Sequence, residues 1–115
     1  MPFSLKRVYD PPAKTDGMRV LVDRLWPRGL TKTKAKVDEW LKEIAPSTEL
    51  RQRFHSDPTR WTEFQSRYRH ELDENPGPVT HLRALGRKQR VTLLYGVHDR
   101  DHNHAIILRE YLTDK

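Results

Sequence analysis

Cysteine is absent from the 115-residue chain. Its absence excludes a disulfide framework, a cysteine zinc site and thiol catalysis, and it fits a reducing compartment. Long apolar runs are missing too: no stretch approaches the roughly 18 residues of a membrane span, and the opening "MPFSLKRVYDPP" has no signal-peptide core. A cytoplasmic protein without a membrane partner is expected. Repeats, low-complexity tracts and interdomain linkers are also lacking, so residues 1 to 115 are expected to form one domain with a single core.

The charge that is present is uneven. The formal net charge is +6, yet residues 19 to 36 carry six Lys and Arg against Asp23, and residues 83 to 90 carry Arg83, Arg87, Lys88 and Arg90 unopposed. The rest of the chain is therefore acidic on balance. Two localised basic segments favour an anionic partner such as a nucleotide, a phosphoester or a nucleic acid, although a solvated basic surface accounts for them equally well.

"SLKRVYD" (4 to 10) and "RVLVDRL" (19 to 25) are short and rich in branched or aromatic residues, with the breaker cluster "PPAKTDG" between them, and both read as strands. Thr31 can cap a short helix through "KTKAK". "VDEWLKEIAP" stays open, because Val37, Trp40, Leu41 and Ile44 have helical spacing while Pro46 bounds a stretch that also suits an irregular strand. Ser47 opens a helix. Asp57 with Pro58 opens another, whose stripe is Trp61, Phe64, Tyr68 and Leu72. A third helix, marked by Val79, Leu82 and Leu85, is expected to stop at Gly86.

"RVTLLYG" is a near-continuous apolar run, as in a strand covered on both faces. A last helix is expected from about Asn103 to Leu112. This order predicts an α/β fold, a small layered sandwich in which a mostly parallel short sheet is flanked by helices.

In open α/β sheets ligands bind beyond the carboxyl ends of strands. Two loops qualify, "DRLWPRGLT" and "GVHDRDHNH", and if their strands are parallel neighbours the loops face each other, bringing Arg28 near His104. In the first, Arg24 and Arg28 offer planar forks for phosphate or carboxylate, Gly29 allows close backbone approach, and Trp26 either lines the site or plugs the core. Asp23 falls in an apolar strand beside Leu21 and Leu25, so it is either paired or held for chemistry.

The second loop has His98, His102 and His104 with Asp99 and Asp101. Their offsets of 4 and 2 do not make the one-faced i, i+4 pair of a His-Glu-x-x-His metal site, so no metal is expected, and no cofactor is implied. Helix capping by Asp101 or Asn103 is the stronger explanation. A histidine near a helix start tends to stay neutral, which suits His102 or His104 as donor or base, both facing the 24 to 29 loop.

With "RVYDPP", "DGMRVLVDRLWPRG", "DEWLKEIAPS", "RWTEFQSRYRHEL" and "RVTLLYG…DHNHAIILREYL" in view, the chain resembles the YeaO-like branch of the bacterial family of domain of unknown function 488. The resemblance covers nearly the whole chain and implies a compact α/β fold without supplying an activity. It marks Tyr9, Asp23, Arg24, Trp26, Pro27, Arg28, Gly29, Trp40, Pro46, His102, Asn103 and His104 as motif positions; His98 and Arg100 fall outside any fixed pattern. Longer relatives carry cysteines in the corresponding final loop. This chain has Tyr95 and no thiol there, so redox chemistry does not carry over.

The leading expectation is a pocket for a small anionic ligand, a nucleotide or phosphoester. Arg24, Trp26, Arg28, Gly29 and Asn103 are the candidate binding residues, and His102, His104 and Asp23 the candidate catalytic ones. Catalysis itself is left open, since no nucleophile and base pair by spacing alone. The runner-up is a nucleic-acid-binding or regulatory protein, although no helix-turn-helix, RNA-recognition or zinc-finger signature is present. A metal-dependent hydrolase comes third. Oligomeric state is not readable.

Overall fold

A computed structural model describes residues 2–56 and 58–114. Four strands, β1 (Phe3–Arg7), β2 (Met18–Leu21), β3 (Glu39–Trp40) and β4 (Val91–Tyr95), form one sheet in the order β1-β4-β2-β3, with every pairing parallel. The helices are α1 (Lys32–Ala35), α2 (Thr48–Ser56), α3 (Trp61–Asp73), α4 (Pro76–Lys88) and α5 (His104–Thr113). The α/β reading therefore holds, and the sheet is wholly rather than mostly parallel among the described residues.

Alternation along the strands divides the core in two. Val20 and Val22, with Val91, Leu93 and Tyr95, point to one face and pack with Phe64, Tyr68, Leu72, Leu82 and Leu108 of the helices. Leu21 and Leu94 point to the other face and meet Val8, Ala35 of α1 and the partly buried Trp26, Leu30 and Val37. All five residues of β4 are buried, as its unbroken apolar run predicts.

The second face also holds a buried charge cluster. Asp16 accepts from Lys6 Nζ at 2.9 Å, from Arg19 at 2.6 Å and from the Ala13 N–H at 3.0 Å. The remaining Arg19 nitrogens donate to the carbonyls of Ala35 and Lys36. Burial pushes the Asp16 carboxyl up, but Lys6, the Ala13 N–H and Arg19 together hold it below the ordinary carboxylate range.

Several expectations need correcting. β2 ends at Leu21, so Asp23 lies in the following loop rather than in a strand, and Leu25 is 62% exposed instead of sharing a buried side with Leu21. The open 37 to 45 stretch is β3 followed by a 3-10 turn over Lys42–Ile44; Val37 faces one core and Leu41 and Ile44 the other, so their helical spacing was coincidental. The cap expected of Asp57 falls outside the described residues. Pro58–Arg60 forms a 3-10 turn leading into α3.

α4 does not stop at Gly86 but runs on to Lys88. Gly86 serves contact instead: a Cβ there would lie 2.6 Å from the Phe3 ring. We expect Gly86→Ala to destabilise the fold by about 1–3 kcal/mol through overpacking, despite the better helix propensity of alanine. Urea unfolding checks this, and a stability gain would show that Phe3 can move aside.

Candidate functional site

Because β2 and β4 are parallel neighbours, the loops after them emerge at the same end, as expected. Val22 extends the ladder by donating to Leu94 O at 3.0 Å. Asp23 then ties the two loops together, its Oδ2 accepting from the Gly96 N–H at 2.9 Å. Trp40 Nε1 donates to the Asp23 carbonyl at 2.8 Å, so β3 is joined to the same corner.

His104, the first residue of α5, reaches back across these loops. Its Nε2 lies 2.9 Å from Val22 O and 3.4 Å from Asp23 Oδ1. A carbonyl only accepts, so Nε2 carries the hydrogen. Asp23 Oδ1 is buried and makes no hydrogen bond of its own. Burial raises the Asp23 carboxyl above its ordinary range, against the opposing pull of His104, the Gly96 N–H and Arg51. Burial likewise lowers His104 below the usual imidazole value, against the pull of Asp23 and Val22 O. The Tyr68 ring stands edge-on to His104 with 6.0 Å between centroids, and its hydroxyl donates to Ile44 O at 2.7 Å.

The other sequence candidates fall in different places. Arg24 donates to the carbonyls of Ala45 at 3.1 Å and Pro46 at 3.3 Å, which fixes the turn before α2. Trp26 donates to Leu30 O at 2.8 Å and meets Trp40 edge-on at 5.5 Å. Arg28 is exposed, and its carbonyl accepts from the Tyr9 hydroxyl at 2.9 Å. His104 thus contacts Val22 and Asp23 at the root of the first loop, not Arg28. Gly29 has open space where a Cβ would be and a φ of 82°, a left-handed turn conformation that glycine adopts without strain.

Asn103 caps α5: its Oδ1 accepts from the Ile106 N–H at 3.1 Å, and its side chain is buried. Asp99, not Asp101, organises the preceding turn. Its Oδ1 accepts from the N–H groups of Asp101 and His102, and these bonds, the Asp101 one foremost, hold its carboxyl low. His102 does not face the 24 to 29 loop; its Nδ1 lies 3.2 Å from Asp99 Oδ2 and its ring stands edge-on to Trp61. The two histidines diverge because one precedes the cap and the other follows it.

Sequence reasoning missed Arg51. It lies on α2, outside both loops, yet its charge acts on Asp23 and on His104. No local signal marked it. Sequence reasoning also missed that the four large apolar side chains most open to solvent among the described residues, Tyr9, Leu25, Trp40 and Val97, each stand at or just past the carboxyl end of a different strand.

A broad open hollow of about 950 Å³ lies elsewhere, between α2 and α3, lined by Arg53, Arg67, His70 and Glu74 among others. Several of its charges are matched locally. Glu63 pairs with Arg53 and Arg67, and His70 with Glu74, so shape points there while unspent chemistry stays at the strand ends. Among the described residues no three His, Asp or Glu side chains gather in a set able to hold a metal. No helix described is long and apolar enough to cross a membrane.

A family profile described as "Inactive DUF488-N3 subclade" matches residues 2–115. The chain is 46% identical over 112 residues to "Uncharacterized protein YeaO" of Escherichia coli strain K12, covering 97% of each chain. It is 39% identical over 109 residues to "Uncharacterized protein Rv3073c" of Mycobacterium tuberculosis strain H37Rv, covering 95% of this chain and 92% of that one. No solved structure matches significantly.

Proposed function

Since this chain belongs to the YeaO-like branch of the domain of unknown function 488 family, within a subclade described as inactive, we propose that it binds without turnover. The ligand is a small anion of the nucleotide or phosphoester class, held at the carboxyl ends of β2 and β4. The observation that carries the reading is the row of exposed Tyr9, Leu25, Trp40 and Val97 along the carboxyl ends of the strands, together with the exposed Arg28 and Arg51. Exposed apolar side chains gathered at one end cost solvation unless something covers them.

Arg28 and Arg51 supply charge, with Arg28 held by the Gly29 turn. Trp40 and Tyr9 supply flat surfaces. Asp23 and His104 hold the two loop roots at fixed separation, and Asn103 sets the start of α5. The catalytic roles expected for Asp23, His102 and His104 are not part of this reading, because His104 Nε2 already donates to Val22 O and Asp23 Oδ1 is enclosed.

Titration of the labelled protein with AMP and with inorganic phosphate tests the proposal by NMR. We expect shifts at the Gly29 and Gly96 amides and the Trp40 indole for AMP. Arg28→Ala and Arg51→Ala should each weaken binding about tenfold, the value of one charge-assisted hydrogen bond. Shifts confined to the α2–α3 hollow, or none with millimolar AMP or phosphate, would reject it.

A further inference from the structure

The two sides of the sheet differ in how they handle charge. On the side of α2 to α5 several cations have acidic partners, Glu63 with Arg53 and Arg67, Arg69 with Glu110 and Asp114, and Glu39 with His81, while Arg51, Arg87 and Lys88 are exposed without one among the described residues. The opposite side, covered by α1 and the segment before β2, is different. Lys14, Lys32, Lys34 and Lys36 are all exposed there, and no acidic partner holds any of them among the described residues.

Two of the nearby acids are already neutralised by cations, and the third, Asp38, is exposed and, among the described residues, bonded only to a backbone N–H. Asp16 is buried with Lys6 and Arg19, Asp10 is paired with Arg100, and Asp38 Oδ2 accepts from the Arg19 N–H at 2.8 Å. Arg90 borders the same side, donating to Ser4 Oγ at 2.7 Å. Ser4 and Lys6 share that face by strand alternation.

We propose that this lysine surface is a second site, separate from the strand ends, that binds the phosphate backbone of nucleic acid without reading sequence. Unpaired like charges repel one another and gain most from a ligand whose own charges are closely and regularly spaced. Lysine presents point charges rather than forks, which suits backbone contact in many registers. The exposed aromatic side chains stand at the strand ends, so this face has nothing to stack on bases, and affinity should not depend on base sequence.

Fluorescence anisotropy with a labelled 20-bp DNA duplex between 50 and 200 mM KCl tests this. If the four lysines engage phosphates, log K should fall against log salt with a slope of about −3.6, roughly 150-fold over that range. In the variant Lys14→Ala, Lys32→Ala, Lys34→Ala the slope should drop to about −0.9, roughly fourfold. The matching triple arginine variant should keep the steep slope, and Arg69→Ala on the helical side should leave it unchanged. A second duplex of unrelated sequence should bind equally well. The proposal fails if the duplex does not bind at 50 mM KCl, if the triple alanine variant keeps the wild-type slope, or if polyglutamate of equal charge binds as tightly, which would indicate an acidic protein partner.

Discussion

Asp16→Asn is expected to lower the stability of the fold by about 3–5 kcal/mol, the usual loss when one member of a buried ion pair is removed and the other stays. Arg19 is 4% exposed and Asp16 6%, so water cannot take the place of the lost charge. The carboxylate receives Lys6, Arg19 and the Ala13 N–H together. An asparagine side chain has one acceptor oxygen for these donors and turns its amide group toward a cation. The Asp16 carbonyl also accepts from buried Thr92 Oγ1 at 2.6 Å, so strain in this turn reaches β4. Because the native carboxyl is held low, the stability it supplies is present above its unfolded value of 3.8 and is lost as pH falls through the lower folded value. Urea unfolding at pH 7 and at pH 3 measures both effects. A loss under about 1 kcal/mol would mean that carbonyls alone suffice for Arg19 and Lys6.

His104→Leu is the second large effect. Leucine fills much of the space beside Tyr68 but removes the group that opposes the burial of Asp23. Losing the neutral ring's Nε2–H donor to Val22 O and its pull on the buried Asp23 should cost about 1–3 kcal/mol at pH 7.5. The sign with pH follows from both shifts. Asp23 is raised, so the cost of its charge is full above its folded value and disappears as pH falls toward the unfolded 3.8. His104 is lowered, so below 6.5 the wild type itself loses stability as pH falls toward the folded value. Both effects narrow the gap between variant and wild type in acid. Unfolding at pH 7.5 and pH 5 should show that narrowing, and an equal gap at both would assign the loss to packing alone.

These two clusters also show what the sequence could reveal. Thr31, Ser47 and Asn103 were legible as helix starts because a cap needs only a side chain and an N–H two or three residues on. The stripe of Phe64, Tyr68 and Leu72 was legible because helical period is local. β3 was not: two residues form a strand only because Val20 and Leu21 lie alongside. Gly86 read as a stop because the sequence does not show Phe3 pressing on it. Asp23 and His104 were each singled out, but their pairing depends on strand order, and Arg51 joins them from a helix with no motif of its own. Arg24 and Arg28 looked alike as forks, and the carbonyls of Ala45 and Pro46 distinguish them.

The sheet order carries a consequence for synthesis of the chain. β4 lies between β1 and β2, so Phe3–Arg7 has no strand partner until Val91–Tyr95 has been made, and Met18–Leu21 has only the two-residue β3. At about 5–20 residues per second the ribosome needs roughly 5–20 s to deliver those last strand residues, plus the time for them to clear the exit tunnel. Through that interval the nascent chain holds helices with apolar stripes and no sheet to lay them on. Pairings so distant in sequence also form slowly once available. A stop codon just before β4 would therefore leave β1 without a strand partner and the helices without their sheet.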